Sequence, residues 1–361
     1  MVLSMICWLW LSLIQCYVVN GKIDKPVEVF DNVLSEETLQ QMHQSCVDWP
    51  GGDVVFVFPL EEPTKHSFME QTLNSILWKL YPEATPNMYY IEYWTRQEWY
   101  HILAHADMDE GLRREQESQG RYDEPFGHPE TGQVLYLKLG SRVRGPTCVF
   151  DQQTFGGDLI KSNTDSGDDN TNSTDLIIVP AVESRMLRFQ GHLLHAVPRP
   201  ADLWMAPTYE DQTEPVEEWG RSVLLFNTWP VARGPVREKT IRTVDSAKPS
   251  ELEGTATAIS KERDEWKEVG VLPSSESVSE GGENSNSNNV NNDDLFVPIQ
   301  FPLMGDEKRR GTEQLSVILE TPESSRQAFE QPWQPSTVVV RPVRKKKKKK
   351  KSWLSYFGVE L

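Results

Sequence analysis

A mainly β fold with flanking helices follows from three features of the sequence: a succession of short strand-like runs, turn residues between them, and amphipathic helical stretches ahead of them. The runs are Asn87 to Tyr93, Gln133 to Leu139, Thr147 to Phe150, Leu176 to Val179, Arg185 to Phe189 and Ser222 to Trp229. Short strands punctuated by Gly, Pro, Asn and Asp close as a barrel or a two-sheet sandwich, either of which shields sheet edges. The chain has 361 residues, 38% of them hydrophobic, with 12 Trp, 10 Tyr and 13 Phe, which is apolar mass for one sizeable core.

The elements ahead of the strands can be read in order. Val27 to Asp31 reads as a short strand entering a helix, with Ser35 as N-cap and Leu39, Met42, His43 and Cys46 at helical spacing. His43 on that face reads as a packed histidine without a chemical role. A second stripe of Met69, Leu73, Ile76, Leu77 and Leu80 ends at Pro82. Between the strands, Gly111 to Pro129 and Asp158 to Asp175 read as long polar loops.

The chain ends and the charge set the setting. Residues 1–21 are almost wholly apolar and read as a signal peptide or signal anchor; residues 22–235 form the main domain. Residues 236–294 read as a largely disordered linker and 295–340 as a short β-rich segment, either packed on the main domain or apart from it. Residues 341–361 form a basic tail, in which Lys345 to Lys351 precede Trp353, Tyr356 and Phe357. This tail is a solvated charge run or a contact for an anionic membrane surface. A net charge of -17 excludes nucleic acid as the main partner, because phosphate binding needs a basic face. Past the leader only Cys46 and Cys148 remain, enough for one disulfide, and Asn172-Ser173-Thr174 is a glycosylation sequon. Together these features place the expected location in the secretory pathway, in the ER lumen, membrane-anchored or secreted.

The chemistry-bearing stretch is His105-Ala106-Asp107, whose His and Asp, two apart, would share one side of a strand. Far downstream lies Arg188-Phe-Gln-Gly191-His-Leu-Leu-His195-Ala-Val-Pro198. Two histidines and one carboxylate form the triad that holds Fe(II) while leaving positions open for further ligands. His101 and His192 are the neighbouring rivals, His192 reading as a polar loop residue, and Asp109 and Glu110 are expected to face solvent. Trp94, Trp99 and Trp229 read as core. Next comes Gly220-Arg221-Ser222-Val-Leu-Leu-Phe-Asn-Thr-Trp229, where a strand-borne guanidinium suits a carboxylate in bidentate fashion.

In this order, H-x-D, then F-x-G-x-x-x-H-A-V-P, then R-S-V-L-L-F-N-x-W, the sequence resembles the Fe(II)/2-oxoglutarate-dependent dioxygenases of the prolyl 4-hydroxylase-like group. Val134-Leu-Tyr-Leu137 and Gly145-Pro-Thr-Cys-Val-Phe150 are similar to that group's central strands, and the likeness covers about Val27 to Trp229. It implies a double-stranded β-helix (jelly roll), with His105, Asp107 and His195 as iron ligands and Arg221 holding the 2-oxoglutarate carboxylate. Tyr93 or Tyr136, together with Ser222, would add hydrogen bonds to the cosubstrate. It further implies Fe(II), 2-oxoglutarate, O2 and ascorbate, and hydroxylation of a peptidyl (prolyl-like) or other organic substrate. The chain departs from the group in length: His105 and His195 are 90 positions apart (195 − 105), and His195 and Arg221 are 26 apart (221 − 195). Long loops absorb such excess at small entropic cost. Two rival readings remain: a catalytically inactive jelly-roll binding module, and a zinc hydrolase built on the same ligands.

Overall fold

The computed structural model describes residues 25–47, 55–60, 67–96, 102–121, 127–140, 146–151, 174–197, 221–231, 266–272, 298–302, 314–319 and 334–342. The leader, Asn172 and Ser173 of the sequon, the lysine run, His101 and Trp99 lie outside them. Among the described residues no helix is long and apolar enough to cross a membrane.

Two antiparallel sheets pack face to face. The first contains β1 (Val27–Asp31), β2 (Phe56–Pro59), β3 (Tyr89–Arg96), β5 (Thr131–Leu139), β8 (Met186–Gln190), β10 (Arg221–Pro230) and β11 (Lys267–Glu268). The second contains β4 (Ile102–His105), β6 (Thr147–Phe150), β7 (Thr174–Val179), β9 (His195–Val197), β12 (Pro298–Pro302), β13 (Gln314–Leu319) and β14 (Ser336–Pro342). Their orders are β11-β1-β8-β5-β10-β3-β2 and β12-β13-β14-β7-β6-β9-β4. Through its middle the chain switches between the sheets, which is the jelly-roll arrangement.

Each face of the first sheet has its own apolar layer. Outward, Ile91, Tyr93, Leu135, Leu137, Leu224 and Phe226 pack under two helices, α1 (Glu36–Val47) and α2 (Phe68–Leu80). Inward, Val134, Tyr136, Leu187, Phe189 and Val223 meet Val149, Ile177 and Val179 of the second sheet. The two helices begin where their caps place them. Thr38 N–H donates to Ser35 Oγ at 3.2 Å, and Ser67 and Glu70 form a reciprocal capping box at the start of α2. Asp31 and Arg185, the latter almost fully buried, join β1 to the start of β8 through two parallel bonds of 2.6 and 2.9 Å.

Several expectations change. The stretch from Gly111 to Pro129 is not all loop, for α3 (Glu110–Ser118) lies in it, capped by Asp109. The expected linker is interrupted at residues 266–272, where β11 pairs with β1 and the Trp266 ring packs on Phe30 at 5.7 Å. The distal β segment joins the second sheet, because β14 pairs along β7 and extends it to β13 and β12. Cys46 and Cys148 are both buried, one in the helix layer and one in β6, and no disulfide joins them.

The inward row Phe189, Gly132, Asn227 and Glu92 runs in register across four strands. Gly132 is the necessary gap in it: an added Cβ would lie 2.7 Å from the Phe189 ring. The Gly132→Ala variant is therefore expected to lose about 1–3 kcal/mol by overpacking, read as a lower urea midpoint at unchanged slope. Unchanged stability would show that the row is loosely packed.

Candidate metal centre

His105 ends β4 and His195 begins β9, and the two residues are direct cross-strand partners. Opposed residues of an antiparallel pair have their Cβ atoms about 4.5–5.5 Å apart, and here the ring centroids are 4.3 Å apart. Asp107 lies two residues beyond the end of β4 rather than on the strand, so loop geometry, not strand alternation, brings it to the histidines. Its Oδ1 is 3.8 Å from His105 Nε2, and one ligand atom from each of the three residues lies within 4.8 Å of the others. The ligand-bearing residues most distant in sequence thus meet because β4 and β9 are neighbours.

The donor set is in the state a metal requires. Burial, followed by the neighbouring His105, lowers the pKa of His195 to about 4, so its imidazole is neutral at neutral pH. Its Nδ1 is 3.3 Å from the Leu193 carbonyl, which only accepts; the proton therefore sits on Nδ1 and the Nε2 lone pair is left free. The Phe189 ring backs His195 at 4.7 Å between centroids. His105 and Asp107 keep 18% and 15% side-chain exposure, which leaves one side of the triad accessible.

A short segment, residues 127–130, braces both ligand-bearing loops. Asp109 N–H donates to the Gly127 carbonyl at 2.9 Å, and His128 Nδ1 donates to the Asp107 carbonyl at 2.7 Å. Glu130 N–H donates to the Thr228 carbonyl at 2.8 Å, while the Glu130 carbonyl accepts from Gly191 N–H at 3.1 Å. A side chain at position 191 would collide with the Pro129 backbone, so only glycine fits this turn before His195. Asp109, expected at the surface, is instead buried, its carboxylate accepting from Leu112 N–H at 2.9 Å. Glu110 is exposed, and His192 sits half-buried in the Gly191 turn outside the triad. No sequence signal marked His128; the Asp107 loop needed an anchor that only the fold reveals.

Arg221 opens β10 and points between the sheets. It is 2% exposed, its Nη2 donates to Thr147 Oγ1 at 3.2 Å, and its Nε has no partner. No carboxylate pairs with it among the described residues, although its guanidinium lies 5.3 Å from the Tyr136 ring. Tyr136 shares Thr147 as a hydrogen-bond partner at 2.7 Å. Thr147 is thus the hub of this corner, and its place in the Gly145-to-Phe150 stretch was the available signal. The other two expected cosubstrate residues face away. Tyr93 lies under the helices, its hydroxyl donating to Glu70 at 3.0 Å, and Ser222 Oγ bonds His43 Nδ1 of α1 at 3.1 Å. The reason is strand parity: alternation along β10 turns Arg221 and Val223 inward and Ser222 outward, while the register shift beside them is taken up by Leu137 of β5.

No protein-family profile and no curated protein matches the chain. Among solved structures it is similar to HygX from Streptomyces hygroscopicus with iron bound, at 13% identity and a TM-score of 0.30, over 64% of this chain and 90% of that one. It is also similar to a Pseudomonas putida prolyl-4-hydroxylase, at 10% identity and a TM-score of 0.30 over 57% and 88%. A third is the viral collagen prolyl hydroxylase of Paramecium Bursaria Chlorella virus-1 in its 2OG complex, at 10% and 0.30 over 57% and 95%. Scores this low carry no weight for the chemistry of this chain, which rests on its own residues; the jelly roll itself is read from the strand order.

The His128→Ala variant is expected to bind Mn(II) about tenfold more weakly, by release of the Asp107 loop, as measured by electron paramagnetic resonance of free Mn(II). Wild-type affinity in the variant would mean that the loop holds its shape without the brace.

Proposed function

We propose that the chain is a non-haem Fe(II)/2-oxoglutarate-dependent oxygenase, an oxidoreductase of hydroxylase type acting on a peptidyl or other organic substrate. The carrying observation is a buried guanidinium with no carboxylate paired to it among the described residues, inward from an open His–Asp–His triad. Burying an unpaired charge costs several kcal/mol, so Arg221 is poised for an anion, and a dicarboxylate that also meets the metal satisfies both. His105, Asp107 and His195 would hold the iron, one carboxylate and two neutral imidazoles being a donor set that suits it. When bound, iron and 2-oxoglutarate supply oxidation by O2, coupled to decarboxylation of 2-oxoglutarate to succinate and CO2, with ascorbate as auxiliary reductant.

The chain's own residues do the rest. Arg221 and Thr147 bind and orient the distal carboxylate, and Tyr136 holds Thr147 in place. Phe189 and the apolar inward face keep water from the buried side of His195, whose Nδ1–H donates to the Leu193 carbonyl and fixes the ring. A non-catalytic binding module gives no physical reason for an uncompensated buried cation beside three converging ligands. A zinc hydrolase needs no carboxylate clamp.

Succinate release from 2-oxoglutarate by the full chain with Fe(II) and ascorbate is expected to be lost in His195→Ala; equal release from both proteins would refute the triad. Arg221→Ala is expected to raise KM for 2-oxoglutarate by about 30-fold to 1,000-fold, corresponding to the roughly 2–4 kcal/mol of a truncated buried ion pair. An unchanged KM would mean that another cation serves the carboxylate.

A further inference from the structure

The inward side of β3 carries groups that the metal chemistry leaves unused. Along Tyr89–Arg96, buried and half-buried residues alternate. Tyr89, Ile91 and Tyr93 are sealed under the helices, whereas Tyr90, Glu92 and Trp94, which face the space between the sheets, stay half-open. In a sandwich the inward side is ordinarily the covered one; here it stays partly open along β3. Trp94, expected in the core, is therefore half-open on this side, while Trp229 is the core tryptophan.

Glu92 stands in the row that begins at Phe189, the ring packed on His195. Its Oε2 accepts from Trp229 Nε1 at 2.9 Å and from Asn227 Nδ2 at 3.3 Å. Its Oε1 has no hydrogen bond, and no basic side chain pairs with the carboxyl, among the described residues. Burial raises its pKa to about 7, and the nearby Asp107 and Asp109 push the same way. The Trp229 and Asn227 bonds hold the carboxyl rigid, so its second oxygen is presented at a set place. A carboxyl with one free oxygen, flanked by aromatic side chains at i−2 and i+2 and lacking a counter-ion, suits a cation through ion pairing and contact with ring faces.

We propose that Tyr90, Glu92 and Trp94 form a substrate-recognition edge on the half-open inward side of β3 and take an alkylammonium group, with Glu92 Oε1 as its acceptor. Arg96, inward at the end of the same strand, disfavours a second cation beyond it. The net charge of -17 favours the approach of cationic molecules in general. That this ligand is a substrate rests on the oxygenase reading; recognition of the cation does not.

The test is calorimetric titration of the full chain with N-acetyl-lysine methylamide and its neutral counterpart N-acetyl-norleucine methylamide. Both are titrated into the metal-free chain and into the chain loaded with Mn(II) and N-oxalylglycine. Wild type is expected to prefer the lysine compound by roughly tenfold or more, and Glu92→Gln to abolish that preference. Glutamine keeps the size and the acceptor for Trp229, so a merely structural Glu92 predicts an intact preference in the variant, which would overturn the proposal. Equal affinity for the two compounds in wild type would overturn it as well. Should Glu92→Gln fail to fold, Trp94→Ala reads the same edge from its open side and is expected to weaken lysine-compound binding severalfold; no change sinks the proposal. Failure of the oxygenase reading shows separately, as absent Mn(II) and N-oxalylglycine binding in the loading step, while the metal-free titration still decides the cation site.

Discussion

Cross-strand pairing of His105 with His195 brings together residues 90 positions apart (195 − 105), and it holds only while β4 and β9 stay neighbours at one edge of the second sheet. Their rings, 4.3 Å apart, leave the third ligand to be supplied from outside the ladder. Asp107 fills that place because its loop is tied down by the segment that also meets the Gly191 turn. One disturbance in residues 127–130 therefore reaches both sides of the triad. A metal bound there would return stability to the same contacts, since binding to the folded chain alone stabilises it.

The second constraint is electrostatic. Arg221 is placed inward by the alternation of β10, with a threonine hydroxyl as its hydrogen-bond partner and no carboxylate paired with it among the described residues. A one-residue change of register in β10 would turn this side chain to the opposite face. The inward face divides accordingly: an apolar interior with the Arg221 corner, then the triad edge, then the half-open side of β3 with its free carboxyl oxygen.

Much of this was legible in the sequence, and the exceptions have physical causes. His105, His195 and Arg221 stood out because their residue types carry chemistry and their strands have strong β character. Tyr93 and Tyr136 were indistinguishable, since both faces of the first sheet are covered, one by helices and one by the second sheet, so alternation alone does not say which face is the interior. Asp109 read as solvent-facing because a buried cap is set by the helix that follows, and α3 hides in a strongly polar stretch. Lys267–Glu268 in the expected linker gave no strand signal because two residues are too few to show a period; their pairing comes from β1.

The central claim is that the triad and Arg221 together hold a dicarboxylate. The most direct measurement is calorimetric titration of the Mn(II)-loaded chain with 2-oxoglutarate and with 2-oxobutyrate, which keeps the 2-oxo acid and lacks the distal carboxylate. The account predicts metal-dependent binding of 2-oxoglutarate and an affinity for 2-oxobutyrate lower by about 30-fold or more. Equal affinities, or binding of 2-oxoglutarate that ignores the metal, would contradict it.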